Sequence, residues 1–154
     1  MGVYPKGNLL EFRIFRGKFM EYVKKAKRIT LFSSFKSIDY VEAALTKDLE
    51  LVRTPIGPGP RHWYFGLTCE LKIKKDSNPS VFECLPLEAY YRAAPPPSRA
   101  FFYILEASVY ASRWFLGERY LEKALEFLAE GYRLGDPLDR VAVEKVLKYL
   151  FEKV

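Results

Sequence analysis

The chain has 154 residues, 49% of them hydrophobic, and a net charge of +6. That length holds one domain, or one domain with an appended helical part, and that apolar fraction excludes wholesale disorder. No run approaches the roughly 18 apolar residues of a membrane span, and the N-terminus lacks the basic and apolar regions of a signal peptide, so the expected location is the cytoplasm.

The charge is unevenly spread. Residues 1–80 carry 15 Lys+Arg against 8 Asp+Glu, and residues 81–154 carry 10 against 11. This separation points to a basic part that meets an anion and a balanced part that packs or oligomerises. Chance combined with a thermophile composition yields the same imbalance. The chain has no Gln, and Asn8 and Asn78 are its only asparagines, a hyperthermophile pattern.

In chain order, Leu9–Arg16 reads as a strand, with Leu10, Phe12 and Ile14 on one side and Glu11, Arg13 and Phe15 on the other. Gly17 breaks it, and Lys18–Lys27 reads as a helix with Phe19, Tyr22, Val23 and Ala26 on one face. Ile29–Phe35 is a second strand, rich in β-branched and aromatic residues. Ser37 is the expected N-cap of a short helix, Ile38–Thr46, and Leu49–Arg53 is a third strand. Thr54–Pro60 is rich in Pro and Gly and reads as a stiff loop unable to join a sheet ladder.

From Trp63 to Ile73 every odd position is apolar, which predicts a long strand with one face in the core. Residues 75–80 form a turn, and Val81–Leu85 returns as a hairpin partner. Pro86–Ala94 is expected to form helical turns. Pro95-Pro96-Pro97 is a rigid spacer and marks a boundary between a basic α+β region, 1–94, and a helical region, 98–154. Three helices follow: Arg99–Phe115 capped by Ser98, Glu118–Glu130 with Gly131 and Gly135 at its exit, and Leu138–Lys153 after Asp136-Pro137. The predicted fold class is α+β, a mostly antiparallel twisted sheet of about five strands with helices on one face, then a three-helix part.

The candidate functional residues lie in the basic half. Arg61-His62-Trp63-Tyr64 joins a cation, the only histidine and two rings after the Gly/Pro loop. Trp63 belongs to the core by alternation. Arg61 on phosphate, with His62 or Tyr64 as a stacking platform, suits a single-stranded nucleic acid. The free sheet face is expected to add Arg13, Phe15, Thr68, Lys72 and Lys74, unless the C-terminal helices cover it. Lys24, Lys25, Lys27 and Arg28 supply further phosphate contacts, although cations at a helix C-terminus also suit the macrodipole.

These residues lead to the expectation of a non-enzymatic binder of single-stranded DNA or RNA. The alternatives are an assembly subunit and a small RNA-processing enzyme using His62. The plan, though not the residues, is similar to that of some archaeal single-stranded DNA-binding proteins that lack the OB-fold. No cofactor or metal site is legible. Cys69 and Cys84 lack zinc-ligand spacing and read as reduced, buried thiols, although their strands would allow a bridge. The apolar stripe Val143, Val146, Leu147, Leu150 and Val154 packs on the sheet or pairs two chains as a homodimer.

Overall fold

In the computed structural model, which describes residues 2–154, the alternating segment becomes the longest strand of a five-stranded antiparallel sheet. The strands are β1 (Gly2–Lys6), β2 (Leu9–Ile14), β3 (Arg28–Ser34), β6 (Trp63–Lys75) and β7 (Ser80–Tyr91), in the spatial order β1-β2-β7-β6-β3. Two short strands, β4 (Leu51–Thr54) and β5 (Gly57–Pro60), pair as a separate ribbon. The helices are α1 (Lys18–Lys25), α2 (Ser37–Val41), α3 (Phe101–Ala111), α4 (Glu118–Leu134) and α5 (Pro137–Lys153). The predicted α+β class with a mostly antiparallel sheet and C-terminal helices is therefore the observed one. Among the described residues, no helix is long and apolar enough to cross a membrane.

The chain forms two compact units. The first comprises residues up to 33, 53–58 and 65–92; the second comprises 34–52, 59–64 and 93–154.

The first unit is built on strand alternation. Phe12 pairs with Phe82 across β2 and β7, and their rings stack with centroids 5.6 Å apart. Both are fully buried with Ile14, Leu67, Cys69 and Cys84, and α1 adds Met20 and Val23 to the cluster. Val23 faces inward as read from the sequence, but the helix turns Met20 inward beside it and leaves Phe19 and Tyr22 exposed. Positions 20 and 23 are one turn apart, so an eight-residue helix buries only that narrow stripe.

Cys69 and Cys84 are bonded, with Cα atoms 5.3 Å apart, which corrects the reading of two reduced thiols. A register shift between Thr68 and Cys69 places Cys69 diagonal to Cys84 on the buried face.

Three further expectations change. Residues 86–91 continue β7 rather than forming helical turns, because five of them pair with the β6 residues from Phe65 to Cys69. The Gly/Pro segment joins a ladder after all. Gly57 and Gly59 retain N–H groups, and a two-stranded ribbon is all edge, where Pro58 and Pro60 need donate nothing. Thr54 Oγ1 ties the turn by donating to Gly57 O at 2.5 Å. The strand β1 was not read from the sequence at all.

The second unit packs helices through small residues. Ala107, Ala111, Ala124 and Ala142 are fully buried with Ile104, Val143 and Val146. Gly131 lies inside α4 rather than at its exit, and a Cβ there would meet Ile104 Cγ1 of α3 at 2.8 Å. The α5 start matches the sequence. Asp136 caps it by accepting from Asp139 N at 2.9 Å, and Asp139 returns the bond to Asp136 N. Ser37 does not cap α2; it opens the helix, and its hydroxyl donates to Asp139 at 2.7 Å. The α2 turn then widens into a π-helical turn over Glu42–Thr46.

Candidate functional site

Each unit holds a feature whose form suits binding or chemistry. In the first unit, residues of four strands line a concavity of about 190 Å³. Its walls are Val3 of β1, Leu10 of β2, Leu31, Phe32 and Ser33 of β3, and Phe65 and Leu67 of β6. Strands β1 and β3 are the two ends of the sheet order, yet both line it. The sheet is therefore strongly curled, as right-handed strand twist favours. Between Phe65 and Leu67 on β6, Gly66 is closely packed. A Cβ at this position would meet Ile56 at 2.7 Å and the Phe32 ring at 3.0 Å, so only glycine lets these side chains lie against β6. Ser33 contributes the one polar side chain of the lining.

In the second unit, Asp39 and His62 form an oriented pair. Asp39 is buried and accepts three hydrogen bonds: from Ser34 Oγ at 2.7 Å, from His62 N at 3.3 Å and from His62 Nδ1 at 3.0 Å. The carboxylate so holds the imidazole with its Nδ1–H inward and its Nε2 outward. The Phe35 ring meets the imidazole edge-on at 5.7 Å. Among the described residues no cluster of three or more His, Cys, Asp or Glu side chains could hold a metal ion.

The residues selected from the sequence are divided between the units. Arg13, Phe15, Lys24, Lys25, Lys27, Arg28, Lys72 and Lys74 belong to the first, and Arg61, His62 and Tyr64 to the second. Phe15 and Tyr64 are exposed, as expected of stacking rings. Several of the cations, however, are already paired with carboxylates. Arg13 lies 3.7 Å from Glu11, and Lys74 lies 3.5 Å from Glu11 and 3.2 Å from Glu83. Lys24 lies 2.8 Å from Asp76, and Arg61 3.1 Å from Glu50. Lys25, Lys27, Arg28 and Lys72 are exposed. Sequence reasoning placed Leu10, Leu31, Phe65 and Leu67 among apolar strand positions but did not find the gap between them. It singled out His62 without its partner Asp39.

No family model and no curated protein matches the chain. Among solved structures it is similar to an FMN-bound protein of Methanosarcina mazei from the family designated DUF447. The two superpose with a TM-score of 0.78 at 23% identity, over 96% of this chain and 85% of the other. The likeness identifies the fold. It also overturns the reading of this chain as a single-stranded nucleic-acid binder, because the structure sharing its fold carries a flavin. The carboxylates beside Arg13, Lys24, Arg61 and Lys74 explain why the charge count misled. The readings as an assembly subunit and as an RNA-processing enzyme using His62 gain no support either.

Proposed function

We propose that this protein binds flavin mononucleotide. The observation that carries the proposal is the shared fold, matched over 96% of the chain, with a protein that is FMN-bound. Fold alone does not assign function, so the fit of the chain's own residues matters. A flavin needs an apolar surface for its ring system, and the curled sheet of the first unit offers one in Leu10, Leu31, Phe65 and Leu67. These side chains would exclude water from the ring they touch. The Ser33 hydroxyl stands at the same lining as a hydrogen-bonding group. When bound, FMN supplies one- and two-electron redox chemistry of its own. The proposal is of binding, and no catalytic step is attached to it.

The test is titration of the purified protein with FMN, riboflavin and a single-stranded oligonucleotide, followed by flavin fluorescence and calorimetry. Saturable FMN binding at one site per chain, lost in Leu67→Arg and kept in Arg61→Ala, is the expected result. Because Leu67 is a core residue, the folded state of that variant is checked by circular dichroism. Val3→Arg, on an exposed edge position, serves as the second variant. Absence of flavin binding to the folded wild-type protein overturns the proposal.

A further inference from the structure

The size of the concavity limits what it can hold. An apolar cavity of about 150 Å³ admits a benzene ring, whereas clefts that enclose a whole drug-sized ligand run from about 300 to 1,000 Å³. At about 190 Å³ the concavity has room for one six-membered ring with small substituents and not for a three-ring system with its side chain. Its chemistry limits the choice further. Apart from Ser33, the lining side chains are hydrocarbon. The pyrimidine ring of a flavin carries two carbonyls and an N–H, each of which costs free energy when taken from water without a partner. The opposite end of the flavin is a benzene ring bearing two methyl groups and needs no partner.

We infer that the concavity receives the dimethylbenzene end of the flavin, between Leu10 and Val3 on one side and Leu31 and Phe65 on the other. The pyrimidine ring and the ribityl phosphate stay outside it. This inference rests on the flavin-binding proposal and adds an orientation to it. It has a consequence for ligand choice. The pocket discriminates among flavins at the methyl-bearing end and is indifferent to hydrogen-bonding changes at the pyrimidine end. A polar substituent in place of a methyl group leaves an unpaired donor or acceptor against hydrocarbon, and is rejected.

Three measurements on the intact protein test this. Titration with a flavin lacking both methyl groups is expected to give binding roughly tenfold weaker than FMN, from two methyl groups no longer buried. Ortho-xylene, used alone as a probe, is expected to bind and to compete with FMN. Val3→Trp, which fills the concavity from an exposed position, is expected to abolish ortho-xylene binding and weaken FMN binding. If FMN binds but ortho-xylene does not compete, or the demethylated flavin binds equally well, the orientation is wrong and the flavin proposal stands. If FMN does not bind while ortho-xylene does, the flavin proposal fails and takes the orientation with it.

Discussion

The first unit closes its interior with large side chains and a covalent link, whereas the second closes its own with small side chains and buried charge. Phe12 and Phe82 stack across two strands, and the Cys69–Cys84 bond joins β6 to β7 beside them. Neighbouring strands are about 4.8 Å apart whatever they carry, so a sheet can fill its concave side with rings. Helices approach as closely as their side chains allow. Alanines and Gly131 bring α3, α4 and α5 together, and Asp139 then joins what the alanines cannot. It is almost fully buried and receives the hydroxyls of Ser37 and Ser98 and the Asp136 N–H. A sheet unit tolerates an internal gap such as the concavity, because ladder hydrogen bonds hold its strands independently of filling. A helical unit with this packing has no such reserve.

That contrast breaks most directly at Asp139. Asp139→Ala removes part of the α5 cap and leaves two hydroxyls and a backbone N–H without their acceptor, a loss of about 4 kcal/mol. Urea denaturation followed by circular dichroism measures it, and a loss below about 1 kcal/mol would mean that the buried carboxylate is not what ties the second unit. In the first unit, the double variant Cys69→Ala/Cys84→Ala is expected to cost about 3 kcal/mol, from a closed loop of about 15 residues. Reduction under denaturing conditions followed by refolding in thiol provides the same comparison without mutation.

Gly131→Ala sharpens the point about close helix packing. The added methyl group meets Ile104, and an expected loss of about 2 kcal/mol would show as a lower denaturation midpoint with an unchanged slope. A neutral result would mean that α3 and α4 can move apart at no cost. The smallest effect is electrostatic. Lys145 hydrogen-bonds Asp48 and also pairs with Glu42, and this ammonium, with the Thr46 hydroxyl, holds the Asp48 carboxyl below its usual range. Burial pushes the Asp136 carboxyl up, but Lys36 and the N–H groups of Asp139 and Leu138 outweigh it, so it too is lowered. Groups lowered in the folded state contribute stability above the ordinary Asp value of about 3.9, and that stability is lost as pH falls through the folded values. An acid titration of stability should therefore fall below about pH 4. Lys145→Met should flatten the Asp48 part of that fall and cost about 1 kcal/mol near neutral pH, since the Asp48 side of the pair is half-exposed.

Strand alternation and capping chemistry were legible in the sequence because each is local. Trp63, Leu67 and Cys69 are buried as the alternation reads, although Ile73 is exposed, and the Asp136-Pro137 start appears as read. The second half of β7 was not legible, because its residues are exposed on both faces and no burial contrast marks a period of two. The concavity was hidden for a different reason. Leu10, Phe65 and Leu67 read as core-facing, but the gap beside them is produced by sheet curl, which no single strand encodes. The basic surface was misjudged because charge was counted along the chain, while Lys74 meets Glu11 and Glu83 across strands.

His62 is the only histidine in the chain, and its ring is held by Asp39 through a single Nδ1 hydrogen bond. The protein therefore carries one imidazole resonance that needs no assignment. The chemical shift of that ring reports on the Ser34–Asp39–His62 corner of the second unit, free of interference from any other histidine. Monitored during a flavin titration, it is a built-in gauge of whether occupancy of the sheet is felt at that corner.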